Sequence, residues 1–108
     1  MEDGSFLLRR SGLPDVRFAG HVVAAVSSKA DPPQKRWRNY AIYRTKSGKL
    51  VLEKEGITTM PGEEDRHKVL ILDDLEAPSK EIIKFFGRDS LAKDLYADAE
   101  ISDVEVIE

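Results

Sequence analysis

The chain of 108 residues contains no cysteine, and no stretch of it approaches the roughly 20 apolar residues that a bilayer-spanning helix needs. Without cysteine it cannot form a disulfide, a thiolate metal site or a thiol nucleophile, as is usual for proteins of the reducing cytoplasm. The acidic start and the short run Phe6–Leu8, stopped by Arg9, are the reverse of the order in a secretory signal. We therefore expect a cytoplasmic protein that is neither secreted nor membrane-bound.

Histidine is scarce as well, with only His21 and His67, and no glycine-rich phosphate loop or His-Glu-x-x-His pattern is present. Nucleophilic catalysis needs a nucleophile, a base in reach and a group that orients the base. His21 falls inside an apolar run, where a structural role is expected. His67 follows an acidic turn without a second histidine at a ligand spacing. The sequence thus predicts no catalytic residue, no metal site, no cofactor and no enzyme activity.

The composition is that of a single globular domain, with 41% hydrophobic and 34% charged residues. Residues 1–15 show no sustained hydrophobic period, so we expect them to form an N-terminal arm or a short edge segment. Residues 16–108 then make up one domain. Three strands are predicted first: an apolar, β-branched run over residues 16–27, with Gly20 as a candidate bulge, and a hairpin of residues 36–45 and 49–57.

The second half of the chain reads as one further strand, two helices and a short final strand. Residues 67–72 are strand-like, and an apolar stripe after Ser79, a candidate cap, predicts a first helix that stops at Gly87. Asp89 or Ser90 can cap a second helix. Val104–Val106 indicates a last strand. The sequence predicts an α+β fold, with a mainly antiparallel sheet of about four to five strands around the hairpin 36–57 and two C-terminal helices packed on one face.

Charge is divided unequally along the chain. Residues 1–50 contain ten lysines and arginines against four acids, whereas residues 51–108 contain seven against sixteen. In an extended strand, alternate residues share a face, which predicts a basic face with an aromatic ring on the first hairpin strand. That face carries the candidate nucleic-acid or partner-binding residues, which are Arg36, Arg38, Tyr40, Arg44 and Lys46. Basic and aromatic residues together can bind phosphates and stack on bases.

Two other surfaces are candidates for binding. An acidic surface for a basic partner would be formed by residues of a turn and of the second helix, namely Glu63, Glu64, Asp65, Asp94 and Asp98. A small-molecule pocket between the sheet and the helices would be lined by Trp37, Tyr43, His21 and Phe85. The glutamates opposite the basic strand, Glu53 and Glu55, can also neutralise its charge within the fold.

Three places in the sequence resemble one known family. These are Val16-Arg17-Phe18-Ala19-Gly20, the hairpin from Tyr40 to Val51, and a helical stretch that runs into an acidic, β-branched tail. At these places the chain is similar to the small prokaryotic EXLDI family. The tail Asp103-Val104-Glu105-Val106-Ile107 lacks the Leu-Asp of the Glu-x-Leu-Asp-Ile motif after which the family is named. The resemblance implies a prokaryotic, cytoplasmic protein, phage- or plasmid-borne, with a regulatory role, and it implies no particular activity.

These observations favour a non-enzymatic domain that acts by protein contact, as an adaptor, an inhibitor or a small homo-oligomer. A nucleic-acid-binding protein that uses the basic hairpin strand is the first alternative, and a small-molecule-binding domain is the second.

Overall fold

The computed structural model describes residues 3–73 and 78–102. Within these residues the chain forms five strands followed by two helices: β1 (Gly4–Arg10), β2 (Leu13–Ser27), β3 (Arg36–Thr45), β4 (Leu50–Thr58), β5 (Arg66–Leu72), α1 (Pro78–Phe86) and α2 (Ser90–Asp98). The strands pair antiparallel in chain order. The predicted antiparallel sheet and the two helices are therefore present. The final strand expected at Val104–Val106 lies outside the described residues.

The predicted hairpin is confirmed and forms the centre of the sheet. Its loop closes where the Thr45 N–H donates to the Lys49 carbonyl at 2.8 Å. Gly48 takes a φ of +93° in this loop, a left-handed conformation that glycine adopts without steric cost. The expected arm over residues 1–15 contributes an edge strand, because residues 4–8 pair with residues 16–20 of β2.

The sheet curls so that its first and last strands meet at one end. At that end the Ser11 N–H donates to the His67 carbonyl, and the His67 N–H donates to Ser11 Oγ, both at 2.9 Å. The paired strands β2 and β3 approach each other closely at the end of β3, where Gly20 pairs with Thr45. A Cβ atom on Gly20 would be 2.2 Å from the Arg44 carbonyl oxygen. Glycine is needed there because no other residue leaves the backbones room to approach.

The bulge expected at Gly20 lies three residues further on. Val22 pairs with Tyr43 and Ala24 pairs with Ile42, so Val23 is the extra residue. A bulge reverses which alternate residues point to which face. Phe18, before the bulge, consequently packs on the opposite side of the sheet from Ala24, after it. One long apolar strand thereby contributes to two separate cores.

Two hydrophobic clusters cover the central hairpin. The helix-contacting cluster joins sheet residues to residues of both helices: Tyr40, Ile42, Leu50, Leu52, Leu72, Ile82, Phe86, Leu91, Leu95 and Tyr96 are buried in it. The aromatic cluster lies on the other face of β3 and β4 and contains Leu8, Ala41, Tyr43 and Val51, with Phe6, Phe18 and Val69 packed against them. The rings of Phe6, Phe18 and Tyr43 lie 5.0–5.4 Å apart, centroid to centroid.

The helices begin and end close to the predicted places. α1 includes Ser79, so the cap predicted at this residue is wrong, and Pro78 stands in the first turn, where its missing N–H is no loss. α1 ends before Gly87, as expected. Asp89 caps α2 by accepting the Ala92 N–H. Of the predicted apolar stripe, Ile82, Phe86, Leu91 and Leu95 are buried, and Ile83 and Phe85 are partly buried.

We expect Gly20→Ala to destabilise the protein by about 1–3 kcal/mol, the usual cost of overpacking, because the added methyl group would meet the Arg44 carbonyl. Urea denaturation measures the change. Gly56→Ala is the matched control, since its Cβ would find no atom nearer than Arg66 Cβ at 4.0 Å. Equal stability of the two variants would show that the close approach of β2 and β3 does not limit the fold.

Candidate functional site

Arg36, the first residue of the predicted basic face, is held by a carboxylate within the fold. Its Nε donates to Glu63 Oε1 at 2.9 Å and its Nη2 donates to Oε2 at 2.7 Å, while the Thr58 hydroxyl donates to Oε1 at 2.6 Å. The hydrogen bonds from Arg36 and then Thr58 lower the pKa of Glu63 to about 2. The pairing neutralises Arg36 and links β3 to the turn between β4 and β5.

Arg38 and Tyr40 share a second carboxylate, that of Asp89. The Arg38 Nη1 atom and the Tyr40 hydroxyl donate to Asp89 Oδ2 at 2.7 and 2.9 Å, and the Ala92 N–H donates to Oδ1 at 2.7 Å. Burial acts to raise the pKa of Asp89, but these hydrogen bonds and the positive charge of Arg38 outweigh it, so the pKa is lowered. One side chain thus caps α2 and fastens it to β3.

The ring of Tyr40 is not available for stacking on a base. Tyr40 is 3% exposed, and its ring centroid lies 5.2 Å from that of Phe86. Arg44 and Lys46 are exposed at the other end of β3, about 26 Å from Arg36 at the usual rise of a strand. The five residues of the predicted basic face are therefore split into two pairs, separated by a buried tyrosine.

The five acidic candidates also belong to two places. Glu63, Glu64 and Asp65 lie in the turn between β4 and β5, where Asp65 Oδ1 accepts the Thr58 N–H at 2.9 Å. Asp94 and Asp98 are exposed on α2. Glu63 and Asp65 are engaged with β3 and β4, whereas Glu64 in the turn and the two helix residues are exposed.

A groove of about 1070 Å³ opens beside this acidic turn, at the end of the sheet where β3 begins. We call it the Trp37 groove; its lining includes Trp37, Ile57, Arg36, Arg38, Arg66, Glu63, Glu64 and Asp65. Trp37 is half-buried, and the Lys29 ammonium lies 4.8 Å from the centroid of its ring. Strand alternation assigns Trp37 to one face of β3 and both Arg36 and Arg38 to the other. The groove brings them together because it runs across the end of the strand.

A smaller cleft of about 500 Å³ lies at the opposite end, beside the loop of the central hairpin. We call it the hairpin cleft; its lining includes Val16, Phe18, Val51, Ile71, Lys46 and Lys49. The sequence analysis identified Lys46 as a candidate but did not identify the cleft. The apolar residues come from β2, β4 and β5, which only the curl brings together.

A buried carboxylate lies on the aromatic-cluster side of β4. Glu53 is 9% exposed and accepts a hydrogen bond from the Tyr43 hydroxyl at 2.7 Å. Burial and the nearby charge of Glu55 raise the pKa of Glu53, while the Tyr43 hydrogen bond and His67 act to lower it, and the net direction is upward. Burial and the hydrogen bond to Glu53 raise the pKa of Tyr43. This pair connects neighbouring strands through their side chains.

Both histidines lie beside a carboxylate. His67 Nδ1 is 3.0 Å from Glu55 Oε2, close enough for an ion pair when the ring is protonated, but the two groups are not aligned for a hydrogen bond. His21 Nδ1 lies 3.2 Å from Asp3 Oδ1.

The residues suggested for a pocket between sheet and helices do not converge. Tyr43 belongs to the aromatic cluster, and Phe85 packs against the helix-contacting cluster on the other side of the sheet. Trp37 lines its own groove, and His21 is next to Asp3.

No family model matches the chain, and no curated protein or solved structure matches it either. The resemblance to the EXLDI family therefore stays a prediction. Among residues 3–73 and 78–102, no three His, Asp or Glu side chains are grouped as metal ligands. Neither α1 nor α2 has the length and apolar composition that crossing a bilayer requires.

We expect Asp89→Ala to destabilise the fold by about 2 kcal/mol, because it removes a helix cap and leaves the Tyr40 hydroxyl without its acceptor. Since the folded-state pKa of Asp89 is lowered, this contribution is complete above its ordinary pKa of 3.8 and is lost as the pH falls through the folded value. Urea denaturation across this pH range measures it. Asp94→Ala, on the exposed side of α2, should change stability by less than about 0.5 kcal/mol.

We expect Glu53→Gln to raise the melting temperature near neutral pH. A carboxyl group with a raised pKa holds its proton more tightly in the folded state, so its stabilising effect is complete below its ordinary pKa of 4.5 and is lost as the pH rises. Glutamine keeps an acceptor for Tyr43 without the buried charge. The gain should disappear at a pH well below 4.5, where Glu53 is neutral in both states.

The control for this experiment is Glu64→Gln in the exposed turn, which should leave the melting temperature unchanged at either pH. A loss of stability in Glu53→Gln near neutral pH would mean that the charged carboxylate stabilises the fold.

Proposed function

We propose that this protein is a non-enzymatic interaction domain that binds a segment of a partner protein in the Trp37 groove. The observation that carries the proposal is the half-buried Trp37, which shares one groove with the guanidinium groups of Arg38 and Arg66. Tryptophan and arginine dominate the binding energy of protein interfaces, and they do so at pockets from which water is excluded.

The walls of the groove are held in place before any partner arrives. Arg36 is fixed by two hydrogen bonds to Glu63, Arg38 is fixed by Asp89, and Lys29 lies over the Trp37 ring. Binding to prearranged side chains avoids much of the entropy cost of ordering them. These contacts support a rigid recognition surface at this end of the sheet.

The side chains that line the groove also indicate the chemistry of the partner. Trp37 and Ile57 offer apolar contact, and Arg66 is exposed with no ion-pair partner among the described residues. Glu64 also lines the groove and is exposed too. A partner segment with an apolar side chain between a carboxylate and a basic group would match this pattern.

We infer that α1 and α2 both cover the face of the sheet that carries Tyr40 and Ile42, as the sequence predicts. Residues of both helices share the helix-contacting cluster with these two side chains, which supports the inference. The acidic residues Asp94 and Asp98 would then form a separate outer surface, suited to a basic partner. A prokaryotic, cytoplasmic adaptor or inhibitor would fit the EXLDI resemblance.

Nucleic-acid binding is the alternative, and one observation favours it. Trp37 lies with Arg36 and Arg38 in the groove, so it could stack on a base where Tyr40 cannot. Against this, Glu63, Glu64 and Asp65 line the same groove and would repel phosphates. The carboxylates of Glu63 and Asp89 also neutralise Arg36 and Arg38. Protein contact is the better match to this mixture of charges.

The test combines affinity capture with the fluorescence of Trp37, which is the only tryptophan of the chain. We expect Trp37→Ala and Arg66→Glu each to lose a captured partner, with an affinity loss of about 2 kcal/mol, or roughly thirtyfold, for the tryptophan. Lys84→Glu on α1 lies outside the groove and should keep the partner. Circular dichroism checks that each variant is folded.

Two results would contradict the proposal. If both groove variants capture the same partner as the wild type, the groove is not the binding site. If single- or double-stranded oligonucleotides change the Trp37 emission at low salt, and the change is lost at high salt, the nucleic-acid alternative replaces the proposal.

A further inference from the structure

The hairpin cleft has an apolar floor that the fold leaves open to solvent. Phe18 packs against the aromatic cluster and is partly exposed, and Val16 and Ile71 continue the same surface towards the loop of the hairpin. Ile71 pairs with Val51 across β4 and β5, yet Ile71 is 42% exposed while Val51 is 1% exposed. Branched aliphatic side chains therefore form a surface that a ligand could cover.

The rim of this cleft is positively charged. Arg17, Lys46 and Lys49 line it, and no acidic residue of the described part of the chain does. Lys49 forms an ion pair with Asp73 at 3.0 Å, but both side chains are more than half exposed, so the pair is weak and can be exchanged for another anion. Lys46 has no ion-pair partner among the described residues. The Trp37 groove, in contrast, has three acidic residues in its lining.

Two hydroxyl groups lie beside these lysines. The Oγ atoms of Thr45 and Ser47 are 3.0 Å apart, and Thr45 Oγ1 also accepts the Lys49 N–H at 2.9 Å. The Ser47 hydroxyl can therefore donate to Thr45 or to a bound oxygen. An apolar floor under a cationic, hydroxyl-bearing rim complements a molecule with an apolar chain and an anionic head.

We propose that the hairpin cleft binds a small amphipathic carboxylate, with its alkyl chain over Val16, Phe18 and Ile71 and its carboxylate between Lys46 and Lys49. A volume of about 500 Å³ is within the range of small-molecule sites. Lysine ammonium groups act as point charges, and two of them can flank a single carboxylate. Arg17 is the one lining residue of this cleft whose guanidinium group could bind an anion through two parallel hydrogen bonds. This site is at the opposite end of β3 from the Trp37 groove, so the proposal does not depend on the proposed function.

Isothermal titration with decanoate, below the concentration at which it forms micelles, tests the site on the whole chain. We expect saturable binding of decanoate, and binding at least about tenfold weaker for decanol, which lacks the charge, and for acetate, which lacks the chain. Equal binding of decanol would overturn the role of the lysines. Equal binding of acetate would overturn the role of the apolar floor. No saturable binding of decanoate would overturn the proposal as a whole.

Three variants locate the binding. Lys46→Gln combined with Lys49→Gln should weaken decanoate at least about tenfold and leave decanol unchanged, because only the charged head contacts the rim. Ile71→Asn should weaken both ligands, and its exposed position makes unfolding of this variant a small risk. Lys80→Gln combined with Lys84→Gln, on exposed positions of α1, is the charge-matched control and should change nothing. Undiminished decanoate binding by the first double variant would place the ligand elsewhere and overturn the proposal.

Discussion

Residues Tyr40–Tyr43 of β3 and Leu50–Glu53 of β4 are all buried, so the central hairpin has to be covered on both of its faces. Two helices alone do not cover both faces of a sheet. The helix-contacting cluster protects one set of alternate residues, and the curl of the sheet brings Phe6, Leu8 and Phe18 over the other set. Burial of each large apolar side chain stabilises the fold by roughly 1.5–3 kcal/mol, which makes this double cover the main source of stability.

Three local features make the double cover geometrically feasible. Gly20 allows the backbones of β2 and β3 to approach closely at the end of β3, and the bulge at Val23 lets one strand contribute side chains to both clusters. Asp89 fastens the start of α2 to β3 through Arg38 and Tyr40. A curled sheet that meets at Ser11 and His67, but is open elsewhere along its rim, leaves a recess at each end. The Trp37 groove and the hairpin cleft are thus products of the same curl.

The two recesses differ in charge because of where the carboxylates of the second half of the chain lie. Glu63 and Asp65 are in the turn next to the Trp37 groove, and they pair with the residues of β3 and β4 that begin and end there. The loop of the central hairpin contributes lysines without acids. The imbalance of charge along the sequence is partly cancelled inside the molecule at one end of the sheet and remains at the other. Because of this difference in charge, we propose a protein-binding surface at the Trp37 groove and a site for a small anion at the hairpin cleft.

The sequence by itself determined the local elements: alternation and turn residues specify the hairpin at Gly48, and the apolar stripe and Asp89 specify the helices, since these depend on neighbours along the chain. Tertiary structure decided what each element faces. Period-two alternation assigned Tyr40 to a basic surface, but Tyr40 is buried beside Phe86. The same rule separated Trp37 from Arg36, although both line one groove. The curl, the position of the bulge and the pairing of Arg38 with Asp89 join residues distant along the chain. No local sequence pattern predicts such contacts, because they form and stabilise the protein only once the curled sheet is folded.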